Sequence, residues 1–181
     1  MLRRIGFAVA AALLIAASPE PPELWMGAMH GETPTTLTGA TVLDLAALDQ
    51  LVATAKPVLV DLSKADVRPA GMAPEMPWLP QHRSIPGAAW LPGAGIGDIG
   101  PEREALFVQR IAALTGGDKA RPIVSFCHPD CWASWNAGKR LVRLGYTKVY
   151  WFPQGIDGWE KSHDTAVVAA DAAWVGAPTT K

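Results

Sequence analysis

The chain is poor in cysteine: its 181 residues contain two, Cys127 and Cys131. A small scaffold stapled by a framework of disulfides is therefore excluded. Net charge is nearly absent, with 16 basic residues against 17 acidic ones and a formal charge of −1. No basic block lies outside the first few residues, so the electrostatic footprint of a nucleic-acid-binding surface is missing, and no nucleic-acid partner is expected. Long apolar runs are scarce as well. Residues 5–17 form one, but it is shorter than the roughly 20 residues a membrane-spanning helix needs.

What the chain has is a basic start, Arg3 and Arg4, ahead of that run, and small residues after it. Residues 1–20 accordingly read as a secretory signal peptide, with the periplasm of a Gram-negative bacterium as the expected destination and no membrane attachment after cleavage. The remainder is the size of one domain, and 49% hydrophobic residues with eight tryptophans can fill an ordinary core.

Residues 21–38 are rich in Pro, Gly and Thr and read as an irregular arm, with Trp25 and Met26 as anchors and no assigned chemistry. A domain is expected over 39–165 and a tail over 166–181. Within the domain the pattern alternates: a short strand at 40–43, a helix at 45–54 capped by Asp44, and an apolar strand at 57–62. A proline-rich loop follows at 63–83, then a turn and short strand at 85–92. Next come an amphipathic helix at 101–114 with Leu106, Ile111 and Leu114 inward, and a strand at 123–126. The helix at 133–144 places Ala133, Ala137, Leu141 and Leu144 on one face and Lys139, Arg140 and Arg143 on the other. A strand at 148–152 and a short helix at 155–159 complete the series. Strands alternating with helices predict an α/β domain with a mainly parallel central sheet flanked by helices.

Both cysteines fall in one stretch, IVSFCHPDCWASWNAGKR at 123–140. Cys127 stands where the apolar strand stops and a helix is about to begin, at the carboxyl edge of the sheet where reactive loops gather. Amides at a helix N-terminus favour a thiolate, so Cys127 is the candidate nucleophile. Cys131, four residues on, is a resolving thiol, a disulfide partner or a capping-turn residue. The candidate substrate-binding loop comprises His128, Pro129, Asp130, Trp132, Ala133 and Ser134. His128 either supports a thiolate or faces solvent. Asp130 is a candidate helix N-cap, since a carboxylate would raise a thiol pKa. Trp132 and Trp135 either wall a pocket or pack on the sheet. Asp61 and His82 are read as partners in fold-holding hydrogen bonds. Cys127, Cys131 and His128 lack a fourth ligand, so no metal site is expected, and no cofactor is implied.

Taken together, VLVD at 58–61, HRSIPGA at 82–88, the strand ending in Cys127, and the segments at 137–146 and 149–159 resemble a rhodanese domain over about two-thirds of the chain. The resemblance implies a three-layer α/β fold and sulfur transfer through a cysteine persulfide on Cys127. The cysteine pair followed by Trp132 resembles more narrowly an exported CXXCW-motif group associated with PQQ-dependent alcohol catabolism, although three residues separate the cysteines here. Two departures stand out. Ser63 occupies a position where the family carries arginine, and residues 128–134 contain no arginine, so the usual bidentate grip on an oxyanion is missing.

These residues support three functions. The first is a sulfurtransferase acting between a small sulfur donor and a thiol acceptor. The second is a non-catalytic rhodanese-like module with a Cys127–Cys131 disulfide, docking to a periplasmic dehydrogenase or cytochrome. The third is a thiol-disulfide oxidoreductase.

Overall fold

The computed structural model describes residues 18–65, 70–73, 75–76 and 82–176. The signal-peptide reading therefore lies, except for residues 18–20, outside the described residues, as does much of the proline-rich loop. Strand β1 (Thr41–Val42) leads to helix α1 (Leu45–Ala55), where Asp44 Oδ1 accepts from the Ala47 amide at 2.8 Å as the expected N-cap. Strands β2 (Val58–Asp61), β3 (His82–Ser84) and β4 (Ala89–Trp90) precede helix α2 (Gly100–Thr115). Strand β5 (Ile123–Phe126), helix α3 (Trp132–Arg143), strand β6 (Val149–Phe152) and helix α4 (Gly155–Trp159) follow. Strand β7 (Ala166–Val168) and helix α5 (Ala172–Val175) complete the chain.

The central sheet has five strands in the order β1-β6-β5-β2-β4, all parallel. Successive side chains of a strand point to opposite faces, and β5 divides accordingly. Ile123 packs with Phe107 and Ile111 of α2, Ala137 and Leu141 of α3, and Trp174 of α5. Val124 and Phe126 pack on the other face with Leu48 of α1 and Ile156 and Trp159 of α4. The result is the expected three-layer rhodanese-like α/β arrangement. By the same alternation Cys127, the next residue, turns toward the α2–α3 face.

Three sequence expectations need correction. In α2 the expected Leu106, Ile111 and Leu114 do pack on the core, but the buried row is Phe107, Ile111 and Thr115, with Leu106 and Leu114 partly buried at its edge. Arg140, assigned to the solvent face of α3, is 4% exposed. Its guanidinium donates to the carbonyls of Ala94, Ile96 and Gly97 and to Glu104, so four acceptors make the burial affordable. The tail at 166–181 is part of the fold over its described residues. Strand β7 pairs antiparallel with β3, the Asp171 amide donates to the Trp90 carbonyl, and Trp174 is fully buried beneath α2. This segment also covers the β4 edge of the sheet.

Candidate active site

Helix α3 begins at Trp132, which makes Cys131, with extended backbone, the N-cap residue. The position expected for Asp130 thus belongs to Cys131; Asp130 is exposed and carries a left-handed backbone at φ 52°. Cys127 lies at the end of β5, and the two Sγ atoms are 2.7 Å apart. Both thiols are buried, Cys127 at 3% exposure and Cys131 at 5%. The loop start is fixed from the far side, where the Ile156 amide donates to the Cys127 carbonyl at 2.8 Å. Gly155 permits that approach: its φ is +55°, and a Cβ there would meet the same carbonyl oxygen at 2.2 Å.

Two sulfurs this close cannot ionise independently. Cys131 is lowered to about 6, first by the hydrogen bond from Cys127 and then, against its burial, by the Ala133 amide, the nearby His30 and the His128 amide. Cys127 is held well above the ordinary thiol range by that shared hydrogen bond and by burial, although the Ser63 hydroxyl, 3.6 Å away, and the His128 amide act the other way. The pair therefore gives up its first proton readily and holds the second. The retained proton is shared across the 2.7 Å contact between the two sulfurs, of which Cys131 stands at the head of α3.

A cavity of about 460 Å³ opens onto this pair, with Leu62, Lys64, Ile96, His128, Ala133 and, from the arm, Met29 and His30 among its walls. The arm lies against the reactive loop. His30 forms an antiparallel bridge with Cys131, the Trp132 amide donates to the Met29 carbonyl at 2.8 Å, and the Gly31 amide donates to the Asp130 carbonyl. Trp25 anchors it, as expected: Asn136 Nδ2 donates to its carbonyl, its amide donates to Asn136 Oδ1, and its ring stacks on Trp132 with centroids 4.3 Å apart. Met26, the other expected anchor, is largely exposed.

Of the expected loop residues, His128 and Ala133 line the cavity with the two cysteines. Pro129 and Asp130 face a separate shallow pocket beside Gln154 and Lys161. Trp132 is buried between Trp25 and Trp135. Ser134 is buried too, donating to the Cys131 carbonyl and accepting from Trp151 Nε1. These two residues pack, and neither is among the lining residues. The His128 ring pairs through Nδ1 with Asp157.

Below the cavity Asp61 is fully buried and accepts from His82 Nε2 at 2.6 Å, Ser84 Oγ at 2.5 Å and the Ser63 amide at 2.8 Å. Burial opposes its ionisation, yet the bonds from His82, Ser63 and Ser84 prevail and hold its carboxyl below the usual value. Asp61 thereby fixes Ser63, whose hydroxyl touches Cys127. The sequence reading missed Met29, His30 and Lys64. Lys64 directly follows the strand residues already singled out and could have been found there, whereas nothing local ties His30 to a loop a hundred residues away.

Comparison with known proteins bears on the family. The family described as the rhodanese-like domain matches residues 44–162. No curated protein gives a significant match. Among solved structures the chain is similar to the 30 kDa polysulfide-sulfur transferase homodimer of Wolinella succinogenes, with 18% identity, a TM-score of 0.43, and 71% of this chain and 79% of that chain covered. A human single-domain sulfurtransferase is similar at 21% identity and TM-score 0.43, covering 69% of this chain and 99% of its own. An uncharacterized protein from Saccharomyces cerevisiae is similar at 18% identity and TM-score 0.41, with 67% and 92% covered. With the family matched from Asp44 to Ser162, well over half its length, and with a five-stranded parallel sheet between helical layers, the chain belongs to the rhodanese-like domain family.

Proposed function

We propose that the protein is a dithiol sulfurtransferase in which Cys131 accepts a sulfane sulfur and Cys127 discharges it. The observation that carries this reading is the pair of sulfurs 2.7 Å apart at the wall of a cavity, one of them at the head of α3. The Cys131 thiolate attacks the outer sulfur of a donor R–S–SH. A bond forms to Cys131 Sγ, the donor S–S bond breaks, and R–S⁻ leaves with the electron pair. Cys127 supplies the proton that converts R–S⁻ to R–SH. An acceptor thiol R′–SH can then take the sulfur as R′–S–SH and regenerate the Cys131 thiol. Without an acceptor, the Cys127 thiolate attacks the inner sulfur of Cys131–S–SH, closing the Cys127–Cys131 disulfide and releasing HS⁻. A dithiol reductant then resets the site.

The same geometry suits plain thiol-disulfide exchange, and mass distinguishes the two. The reduced protein is treated with inorganic polysulfide and its intact mass followed, alongside Cys127→Ser and Cys131→Ser. Cys127→Ser is expected to gain one sulfur and keep it, and Cys131→Ser to gain none. Loss of two hydrogens from the wild type, with no sulfur on either variant, would leave only the exchange reading, and sulfur gained by Cys131→Ser but not by Cys127→Ser would overturn the assignment of the two roles. A periplasmic setting, a periplasmic dehydrogenase or cytochrome as partner, and service to PQQ-dependent alcohol catabolism remain parts of the proposal. They are supported by the signal-like residues 1–20 and by the cysteine pair followed by Trp132.

A further inference from the structure

The cavity also bears on which donor it admits, an inference that rests on the sulfur-transfer reading above. An oxyanion such as thiosulfate needs a cradle of amides or a guanidinium fork. Here the first amide of α3, that of Trp132, is already taken by the Met29 carbonyl of the arm at 2.8 Å, and the Cys131 side chain accepts no cap hydrogen bond from the helix. No arginine is among the described lining residues. The nearest one in α3, Arg140, is turned away to the carbonyls of Ala94, Ile96 and Gly97. The Lys64 ammonium and the His30 ring share the cavity with Met29, Leu62, Ile96 and Ala133. At about 460 Å³ the space is of the size that encloses a small organic molecule, far more than a small inorganic anion requires.

We infer that the sulfur donor is an organic persulfide, R–S–SH with an apolar R group, whose R group lies along Met29, Leu62, Ile96 and Ala133 while its outer sulfur meets Cys131. The leaving R–S⁻ is then produced inside a cavity that also holds Lys64 and His30, which offsets its charge until Cys127 protonates it. Atoms and electrons balance as in the transfer already written, and no further reactant is required.

The test compares two organic persulfides that differ in the R group, with two inorganic donors beside them. Reduced full-length protein is mixed separately with benzyl persulfide, with the zwitterionic cysteine persulfide, with thiosulfate and with inorganic polysulfide, and the initial rate of sulfur gain or disulfide closure is read by intact mass. Benzyl persulfide is expected to react about tenfold faster than cysteine persulfide, the equivalent of burying one aromatic group, with thiosulfate slowest. Ile96→Asn, at a half-exposed rim position, should reduce the benzyl-to-cysteine ratio to about threefold or less. Equal rates for the two persulfides, a ratio unmoved by Ile96→Asn, or thiosulfate matching benzyl persulfide would overturn the apolar-donor assignment while leaving sulfur transfer standing. Failure of every donor, polysulfide included, would remove the sulfur-transfer reading itself.

Discussion

Replacing Asp61 by Asn keeps the shape of the side chain and removes its charge. The carboxylate accepts from His82, Ser84 and the Ser63 amide at 2.5–2.8 Å with no exposure to water. Hydrogen bonds to a buried charge contribute about 1.5–3 kcal/mol each. Asn retains one acceptor oxygen but presents an NH₂ where His82 or Ser84 now donates. We expect a net loss of about 2–4 kcal/mol, or roughly 5–15 °C in Tm for a chain of this size. The pH dependence gives the sharper test. Because the folded-state pKa of Asp61 is depressed, its stabilisation is complete above the unfolded value of about 3.9 and disappears as pH falls through the lower folded value. Urea unfolding followed by tryptophan fluorescence should therefore show the full gap between wild type and Asp61→Asn at pH 5–7, and a narrowing gap below about pH 4. A gap under about 0.5 kcal/mol at pH 7, or one that stays constant from pH 5 to pH 3, would refute the charged-acceptor account.

Arg140→Met should cost about 2–4 kcal/mol in urea unfolding, because the Ala94, Ile96 and Gly97 carbonyls lose a shared donor. Arg140→Lys, lacking the fork, should recover less than half of that, and full recovery would show that only the charge matters. Trp174→Ala should lower stability by about 3–5 kcal/mol, since the ring is fully buried and leaves a cavity; an unchanged unfolding midpoint would return residues 166–176 to the status of a tail. Alkylation of Cys131 should rise with pH around a midpoint near 6, the thiolate being present above it and lost below. In Cys127→Ala that midpoint should move upward, because the hydrogen bond from the neighbouring sulfur is lost, and a stationary midpoint would break the link between the two sulfurs.

The layer order was legible in the chain because it rests on local signals. Asp44 caps α1 as its position suggests, β5 is a continuous apolar run, and Gly155 opens α4 where the resemblance places it. Asp61 and His82 were readable as hydrogen-bond partners because a carboxylate ending a buried strand must be satisfied within the fold. Arg140 was misplaced for the opposite reason. Helical periodicity assigns a charged residue to water, and only the tertiary placement of three carbonyls from another loop reverses that. In the site itself, the meeting of the two thiols was legible because both cysteines fall between β5 and the start of α3. The helix begins after Cys131, so the N-cap position expected at Asp130 falls one residue on, at the second sulfur. The arm's part was invisible because Met29 and His30 reach Cys131 through backbone pairing, which leaves no mark in side-chain pattern.

That pairing also sets how the chamber is held shut. Trp25 and Asn136 are 111 positions apart, yet apart from its tryptophan stack and a few hydrogen bonds the arm contributes little to the two main core clusters. A segment held by so few contacts opens at a lower free energy than the sheet beneath it. When it opens, the dithiol stays on β5 and α3 and loses only the wall that Met29 and His30 supply.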